Sequence, residues 1–351
     1  MSNKKAIPLL VAVLLISTQI VSATVNPYID TQEYPFHSYA VGIASYGVYQ
    51  NGDKLIPYYI TTSSVLGYVS LHQVQANSPF SVQMNVMLIV NDETFWLQNV
   101  VVIDPVGHHF YLSSSVLNLT CTNSPLTNIQ GEGSFVKGND GQCYYVNYVG
   151  DYRYSLPLSF YLVINVSHTS NHVKVLFGFK GINGTCIQGK TIFFQDDIIY
   201  IPHVYRASIY VSGYNYLSDS SPYQGFSFYD AELVFGGEGN GKVINFDKLQ
   251  AYLSLYYDRD GYVPFPSYFD FGSDTAEGTN NLVTHKVGDL FLVTTGRQAY
   301  YYLGKVYDAP IHLTGSEIVI SENSKLEMVF LSLVFFLIVI GAFFRKIISM
   351  L

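Results

Sequence analysis

Short β-rich runs separated by turn residues follow one another along this chain, and they leave room for little other than an all-β fold. Residues 80–90 (FSVQMNVMLIV) and 94–103 (TFWLQNVVVI) are joined by a short polar turn, which is the pattern of a β-hairpin. The same signal recurs at 159–167, 173–179, 191–201, 207–212, 227–235, 249–257 and 290–294. The sequence therefore predicts an antiparallel β-sandwich, with residues 123–142 as a surface loop or as a seam between two β lobes.

Charged residues are scarce, and this excludes some partners. Of 351 residues, 49% are hydrophobic and only 13% are charged, and the net charge is −8. Nucleic-acid binding needs clustered Lys and Arg, so we expect no nucleic-acid partner. Acid unfolding comes largely from protonating carboxylates that are paired in the native state, so a fold with few carboxylates is compatible with acid conditions.

Both ends of the chain carry targeting patterns. Lys4 and Lys5 precede an apolar run that ends near Ala23, which is the layout of a secretory signal peptide. Residues 328–344 are uncharged and are followed by Arg345 and Lys346, as expected for a single helix that crosses a membrane with its positive end inside. These patterns divide the chain into a signal peptide (1–23), an exported β-rich domain (24–316), a linker (317–327), a transmembrane helix (328–344) and a short cytoplasmic tail (345–351).

Export bears on the cysteines and on three glycosylation motifs. An exported domain permits a disulfide, and we expect Cys121 to pair with Cys143 and to leave Cys186 as a free thiol. Asn-X-Ser/Thr sequons, which are acceptors where the host glycosylates exported proteins, begin at Asn118, Asn165 and Asn183.

An acidic pair in the stretch 226–241 (FSFYDAELVFGGEGNG) is the first candidate for catalytic chemistry. Residues two apart on a strand point to the same face, so Asp230, Glu232 and Val234 are expected to share one face. Two carboxyl groups inside an aromatic, apolar run mark either a functional site or a hydrogen-bonded structural one.

A second acidic motif is FGSDTAEG at residues 271–278, which contains Asp274 and Glu277. Asp274 followed by Thr275 resembles one half of the aspartate dyad of pepsin-like peptidases. However, Ala276 stands where that motif needs glycine, and the sequence holds no second copy. Capping of a turn is the competing interpretation of both acidic residues.

The sequence holds no complete motif for binding a nucleotide or a metal ion. Gly236 and Gly241-Lys242 have the spacing of a phosphate-binding loop, but Val243 replaces the Ser or Thr that such a loop requires. His108 and His109 stand side by side without further ligands at zinc spacing. We therefore expect no nucleotide, no metal and no other cofactor.

Longer stretches resemble the thermopsin family of archaeal acid peptidases, in that family's order. They are GIASYGVY (42–49), PYYITTSSVLGYV (57–69), SVQMNVMLIVN (81–91), FWLQNVVVID (95–104), YSLPLSFYLVINVSHTSN (154–171), YDAELVFGGEGNG (229–241) and FGSDTAEG (271–278). The resemblance implies a metal-independent endopeptidase that is exported, works on protein or peptide substrates at strongly acidic pH and high temperature, and prefers large apolar residues near the cleaved bond. Ser63-Ser64 departs from the more polar pair expected there, and the C-terminal span is not shared by all such proteins.

A second resemblance suggests catalytic residues. Glutamic peptidases are β-sandwich acid enzymes that use a glutamate and a glutamine on neighbouring strands, and Ala231-Glu232 and Leu97-Gln98 are similar to their motifs. In this hypothesis Glu232 activates water and later protonates the leaving amine, and Gln98 stabilises the oxyanion. Asp230 is then a neighbour that tunes or orients Glu232.

Two alternatives stay open at this point. The same activity could depend on a carboxyl pair, with Glu232 or Asp230 on one side and Asp274 or Glu277 on the other. Alternatively, the chain could be a surface binding protein that kept the β fold and lost catalysis.

Overall fold

The computed structural model describes residues 40–52, 54–120, 128–138, 141–214, 229–239, 241–273, 275–296 and 306–308, with the backbone alone described for 194–198 and 306–308. The predicted signal peptide, the C-terminal span and Asp274 lie outside these ranges. No helix within the described part of the chain is long and apolar enough to cross a membrane.

Every element with defined bounds is a β-strand. In chain order the strands are β1 (Ala40–Ser45), β2 (Val48–Asn51), β3 (Lys54–Pro57), β4 (Tyr59–Thr62), β5 (Ser64–Gln75), β6 (Phe80–Val90), β7 (Glu93–Asp104), β8 (His109–Asn118), β9 (Ile129–Gln130), β10 (Ser134–Lys137), β11 (Cys143–His168), β12 (Val173–Thr185), β13 (Thr191–Ile199), β14 (Ala207–Ser212), β15 (Ala231–Gly237), β16 (Val243–Ile244), β17 (Lys248–Asp258), β18 (Tyr262–Pro264), β19 (Ser267–Gly272), β20 (Gly278–Thr279), β21 (Leu282–Val287), β22 (Leu290–Thr295) and β23 (Val306–Asp308).

The first sheet contains the order β8–β7–β6–β15–β1–β19, all antiparallel. Its centre is the predicted hairpin of β6 and β7, which pair residue by residue from Phe80 opposite Ile103 to Val90 opposite Glu93. Asn91 takes a φ of 54° in the turn between them, a left-handed conformation that Asn tolerates better than most residues. The predicted hairpin is confirmed.

The second sheet faces the first across a hydrophobic core and contains the order β13–β12–β11–β5–β17–β22–β21, again antiparallel. The core holds apolar side chains from both sheets, among them Val69 of β5 and Leu97 of β7. A Cβ on Gly67 of β5 would lie 3.1 Å from both the Met84 sulfur and a Leu233 methyl group, so the two sheets are in close contact there.

The two sheets are joined by a strand that belongs to both. The first part of β11 pairs with β8 in the first sheet, and its second part pairs with β5 and β12 in the second. Hydrogen bonding therefore continues from one sheet into the other. The predicted all-β antiparallel fold is confirmed, but a nearly closed, barrel-like architecture replaces separate sandwich layers or lobes.

One local expectation is corrected, and another falls outside the described residues. Cys143 is a free, buried thiol, and Cys121, its predicted disulfide partner, lies outside the described residues. Strand β15 begins at Ala231 rather than at residue 227. The remaining strand predictions agree with the structure within a few residues, except that β11 and β12 extend well beyond the predicted 159–167 and 173–179.

Candidate active site

Strand β6 separates the hydrophobic core from a second, polar environment. Its residues Val82, Met84 and Val86 point into the core, whereas Gln83 and Asn85 point the other way. The polar side of β15, β6, β7 and β8, which we call the polar face, is lined by Ser81, Gln83, Asn85, Gln98, Ser113, Ser115 and Glu232. Gln98 is half-buried and the other six are buried, so this face is not ordinary solvated surface.

Strand register brings Glu232, Asn85, Gln98 and Ser115 into one row across the sheet. Glu232 lies opposite Asn85, Asn85 opposite Gln98, and Gln98 opposite Ser115. Directly opposed residues on neighbouring strands have adjacent side chains, so the row is a continuous line of polar groups. Two of the predicted catalytic residues, Glu232 and Gln98, therefore share one face and one row.

The Glu232 carboxyl group is fully buried and held from two sides. Asn85 Nδ2 donates a hydrogen bond to Glu232 Oε1 over 2.5 Å, and the backbone N–H of Ser273 donates to Oε2 over 2.9 Å. Gly272 lies so close that a Cβ there would be 2.4 Å from Oε2. The carboxyl group is therefore fixed in orientation by its own sheet and by the chain segment that follows β19.

Gln98 does not contact Glu232 and is not on a neighbouring strand. Its Nε2 donates to Gln83 Oε1 over 2.8 Å, and Asn85 of β6 stands between Gln98 and Glu232 in the row. Two interstrand spacings place their Cα atoms about 10 Å apart. The expected arrangement on adjacent strands is wrong because β6 inserts between β15 and β7, although both groups still reach the same face.

Glu277 reaches the polar face from its edge. Its Oε2 accepts hydrogen bonds from the Thr275 hydroxyl and, at 3.5 Å, from Gln83 Nε2. Its Oε1 accepts from the backbone N–H of Gly241 over 3.2 Å. The structure thus connects Gln98 to Glu277 through Gln83. Thr275 lies next to the predicted residue Asp274, which is outside the described residues.

The carboxyl groups are not all at one point. Glu277 lies against Gly236, where an added Cβ would be 2.9 Å from the Glu277 Cβ. Gly236 and Glu232 are four residues apart on β15, which is about 13 Å along a strand. Asp230 is also fully buried and directly precedes β15. Geometry therefore favours Asp230 over Glu277 as the carboxyl neighbour of Glu232.

The glycine-rich stretch after β15 forms a turn at the rim of the polar face. Gly239 and Gly241 take φ values of 134° and 70°, which side-chain-bearing residues rarely adopt. Lys242 and Glu238 form an ion pair within this turn. Burial, and then the charges of Tyr148 and Glu238, raise the pKa of Tyr111 at the same rim. The turn interpretation of these glycines, rather than a phosphate loop, agrees with this geometry.

Beside this row, one step along the strands, the same face becomes apolar. Met87, Trp96 and Leu117 form a separate buried cluster, one step along β6, β7 and β8 from Asn85, Gln98 and Ser115. Tyr144 and Tyr229 pack against this cluster. A large apolar surface thus lies directly beside the polar row.

Sequence reasoning missed Gln83, Asn85 and Ser273, although one signal for the first two was present. In SVQMNVMLIV the polar residues Ser81, Gln83 and Asn85 alternate with apolar ones, and this period of two marks a strand with a polar side. Ser273 carries no comparable signal, because its contribution is a backbone N–H aimed by the fold.

Comparison with known proteins identifies relatives for most of the chain. The family model described as thermopsin matches residues 22–282. A curated protein named thermopsin, from Sulfolobus acidocaldarius, is 36% identical over 279 residues, which cover 74% of this chain and 79% of that relative. The matched region contains the whole polar face.

Proposed function

The chain belongs to the thermopsin family, and on this premise we propose that it is an acid endopeptidase whose active site is the polar face. The substrates are proteins or peptides. Glu232 is the carboxyl group that activates water, and Gln98 is the amide that stabilises the oxyanion.

The burial of Glu232 is the single observation that carries this assignment. Among the residues whose burial is described, only two carboxylic acids are classed as buried, Asp230 and Glu232. Removing a carboxyl group from water costs free energy unless hydrogen bonds compensate, so a fold has no stability reason to place two of them together. Buried carboxyl groups that are close together are typical of acid–base sites.

The donors around Glu232 fit the role of a general base. Asn85 Nδ2 and the Ser273 N–H each bind one oxygen and so fix the plane of the carboxyl group. In the first step the ionised carboxyl group takes a proton from a water molecule, which attacks the carbonyl carbon of the peptide bond. In the second step the same group returns that proton to the leaving amine.

Gln98 fits the role of an oxyanion donor. A primary amide carries two N–H groups, and Gln98 uses one bond from Nε2 to reach Gln83 Oε1. That bond fixes the amide and leaves the second N–H for a substrate oxygen. A gap between Glu232 and Gln98 is compatible with this chemistry, because a water molecule and the carbonyl group must fit between base and donor.

Three variants test this assignment on a denatured protein substrate at acid pH. We expect Glu232→Gln to lower kcat/KM by about 10²–10⁴-fold. We expect Gln98→Ala to lower it by about 10²–10³-fold, as for other oxyanion donors. Ser254→Ala, a change at a buried serine of β17 in the second sheet, is the control, and it should change the rate by less than about threefold, since Ser254 lies outside the polar face.

The alternatives give different results in the same assay. Full activity of Gln98→Ala together with inactive Glu232→Gln would replace the dyad by a carboxyl pair. Full activity of both variants would remove the polar face as the active site. No cleavage by the unaltered chain would leave the hypothesis of a non-catalytic surface binding protein.

We also propose that the domain is held at the cell surface by residues 328–344 after export directed by residues 1–23. The support is the sequence pattern of the two segments. Fractionation of expressing cells should recover the full chain with membranes, whereas a chain that stops at residue 316 should appear in the medium. Recovery of both in the medium would contradict the anchor.

A further inference from the structure

The three sequons of this chain lie in different structural environments. We propose that Asn183 is the N-glycosylation site of the exported chain and that Asn118 and Asn165 are not acceptors. The proposal requires export but is independent of the catalytic assignment.

Asn118 is buried and uses both ends of its amide. It is 5% exposed, its Nδ2 donates to Glu93 Oε2 over 2.8 Å, and its Oδ1 accepts the backbone N–H of Thr120 over 2.8 Å. A sugar on Nδ2 would have to displace Glu93 and enter closely packed protein. A chain modified at Asn118 could not adopt this structure.

Asn165 is enclosed by neighbouring strands. It lies within β11, opposite Ser64 of β5 on one side and Leu176 of β12 on the other. The Ser64 hydroxyl donates to Asn165 Oδ1 and is also 2.7 Å from the Tyr262 hydroxyl. The amide is half-buried, whereas Asn183 is exposed, so Asn165 is the less accessible of the two acceptors.

Asn183 is exposed near the end of β12. Gly184 follows it with a φ of 70°, and a Cβ on Gly184 would be 2.2 Å from the Ser155 carbonyl oxygen. The chain therefore turns tightly against β11 right after Asn183. Asn183 pairs with Ser159 at a register irregularity between β11 and β12, and it is exposed there. Its side chain is therefore accessible from solvent.

The modification is a group transfer that Asn183 can undergo from solvent. Its Nδ2 forms a bond to the anomeric carbon of a lipid-diphosphate-linked oligosaccharide, the carbon–oxygen bond to the diphosphate breaks, and Nδ2 loses one proton. The glycan would stand near the end of β12, in the second sheet. Because the polar face belongs to the first sheet, substrate access there would be unaffected.

Peptide mapping of the full chain tests the proposal. The chain is expressed in a eukaryotic secretory host together with a secreted glycoprotein that reports the activity of the glycosylation machinery. We expect mass spectrometry to find the glycan on the peptide that contains Asn183 and to find the peptides of Asn118 and Asn165 unmodified. Asn183→Gln should remove the glycan, whereas Asn165→Gln, the matched control, should leave it in place.

Mapping of the unaltered chain decides the proposal even if a variant fails to fold. An unmodified Asn183 beside a modified reporter protein would overturn it, and so would a glycan on Asn118 or Asn165 of the folded chain. Enzymatic removal of the glycan should leave the rate of peptide cleavage unchanged within about twofold. Absence of cleavage would count against the proposed function only, since the mapping does not depend on activity.

Discussion

The polar face and a second buried cluster, made by the hydroxyl groups of Ser45, Tyr58 and Ser267, differ in the chemistry of their hydrogen bonds. In this hydroxyl cluster Tyr58 lies 2.9 Å from Ser45 and 3.1 Å from Ser267, and Ser267 donates to the carbonyl oxygen of Val48. All its side chains are neutral. The polar face instead ends on the carboxyl groups of Glu232 and Glu277.

Because of this difference, the hydroxyl cluster and the polar face respond differently to acid pH. Serine and tyrosine hydroxyl groups keep their protons throughout the acid range, so the hydroxyl cluster contributes the same stability at any acid pH. A carboxyl group changes from acceptor to donor when it is protonated, so the polar face changes its hydrogen bonding with pH. Of these two clusters, therefore, only the polar face can gain or lose protons in the acid range.

Moving the Glu232 carboxyl group without removing it should have a large effect on catalysis. In Gly272→Ala the new Cβ would lie 2.4 Å from Glu232 Oε2, and a displacement of about 1 Å costs on the order of 100-fold in rate. We expect that loss in kcat/KM on a peptide substrate. Gly67→Ala is the matched control, because its Cβ would meet the Met84 and Leu233 side chains in the core. Equal rates for both variants would show that the position of Glu232 does not matter.

Breaking the hydroxyl cluster should change stability but not catalysis. Tyr58→Phe removes the bonds to Ser45 and Ser267, which should lower the free energy of unfolding by about 1–2 kcal/mol. Denaturant unfolding should give the same loss of unfolding free energy at two acid pH values. At a temperature at which both proteins are folded, kcat/KM should stay unchanged. The double variant with Ser45→Ala should lose less than the sum of the single losses. A loss that varied with pH would contradict a neutral cluster.

Replacing Glu277 tests whether the edge of the polar face takes part in chemistry. Glu277→Gln keeps an acceptor for the Gly241 N–H but disturbs the contacts of Thr275 and Gln83. We expect kcat/KM to fall by less than about tenfold, against the roughly 10²–10⁴-fold loss of a true general acid or base. A loss in that larger range would assign Glu277 to a catalytic carboxyl pair.

The smallest effect on stability is expected for a change at Tyr154, which belongs to neither the polar face nor the hydroxyl cluster. Burial, and then the charge of Asp104, raise the pKa of Tyr154 from 10.0 to about 12. The unfolded chain loses its tyrosine proton first, so stability is fully present below pH 10 and is lost as the pH rises to about 12.

The variant Tyr154→Phe should therefore unfold less readily than the unaltered chain in this alkaline window. At neutral pH the free energy of unfolding of the variant should be unchanged or higher by up to about 1 kcal/mol. The reason is that the buried Tyr154 hydroxyl has no hydrogen-bond partner among the described residues. Tyr161→Phe, on the half-exposed side of β11, is the control. A parallel pH dependence of all three proteins would contradict the role of Tyr154.

Much of the fold could be predicted from local pattern. The alternation in residues 80–90 and the polar turn after it determine β6, β7 and their hairpin register. The apolar residues that flank Asp230 and Glu232 in the sequence likewise predict a buried, apolar environment for these two carboxyl groups. The long β11 was harder to predict, because its two halves pair with different sheets and only its second half has a clear apolar alternation.

The sequence by itself determined the strands, their two-sided character and the membership of the family. Only the tertiary structure decided which strands lie side by side. Glu232 and Gln98 are separated by β6, and Asn85 and the Ser273 N–H become partners of the carboxyl group. The physical reason is that period-two alternation fixes the face of a side chain within its own strand, whereas its neighbours depend on pairing between segments that are far apart in the chain.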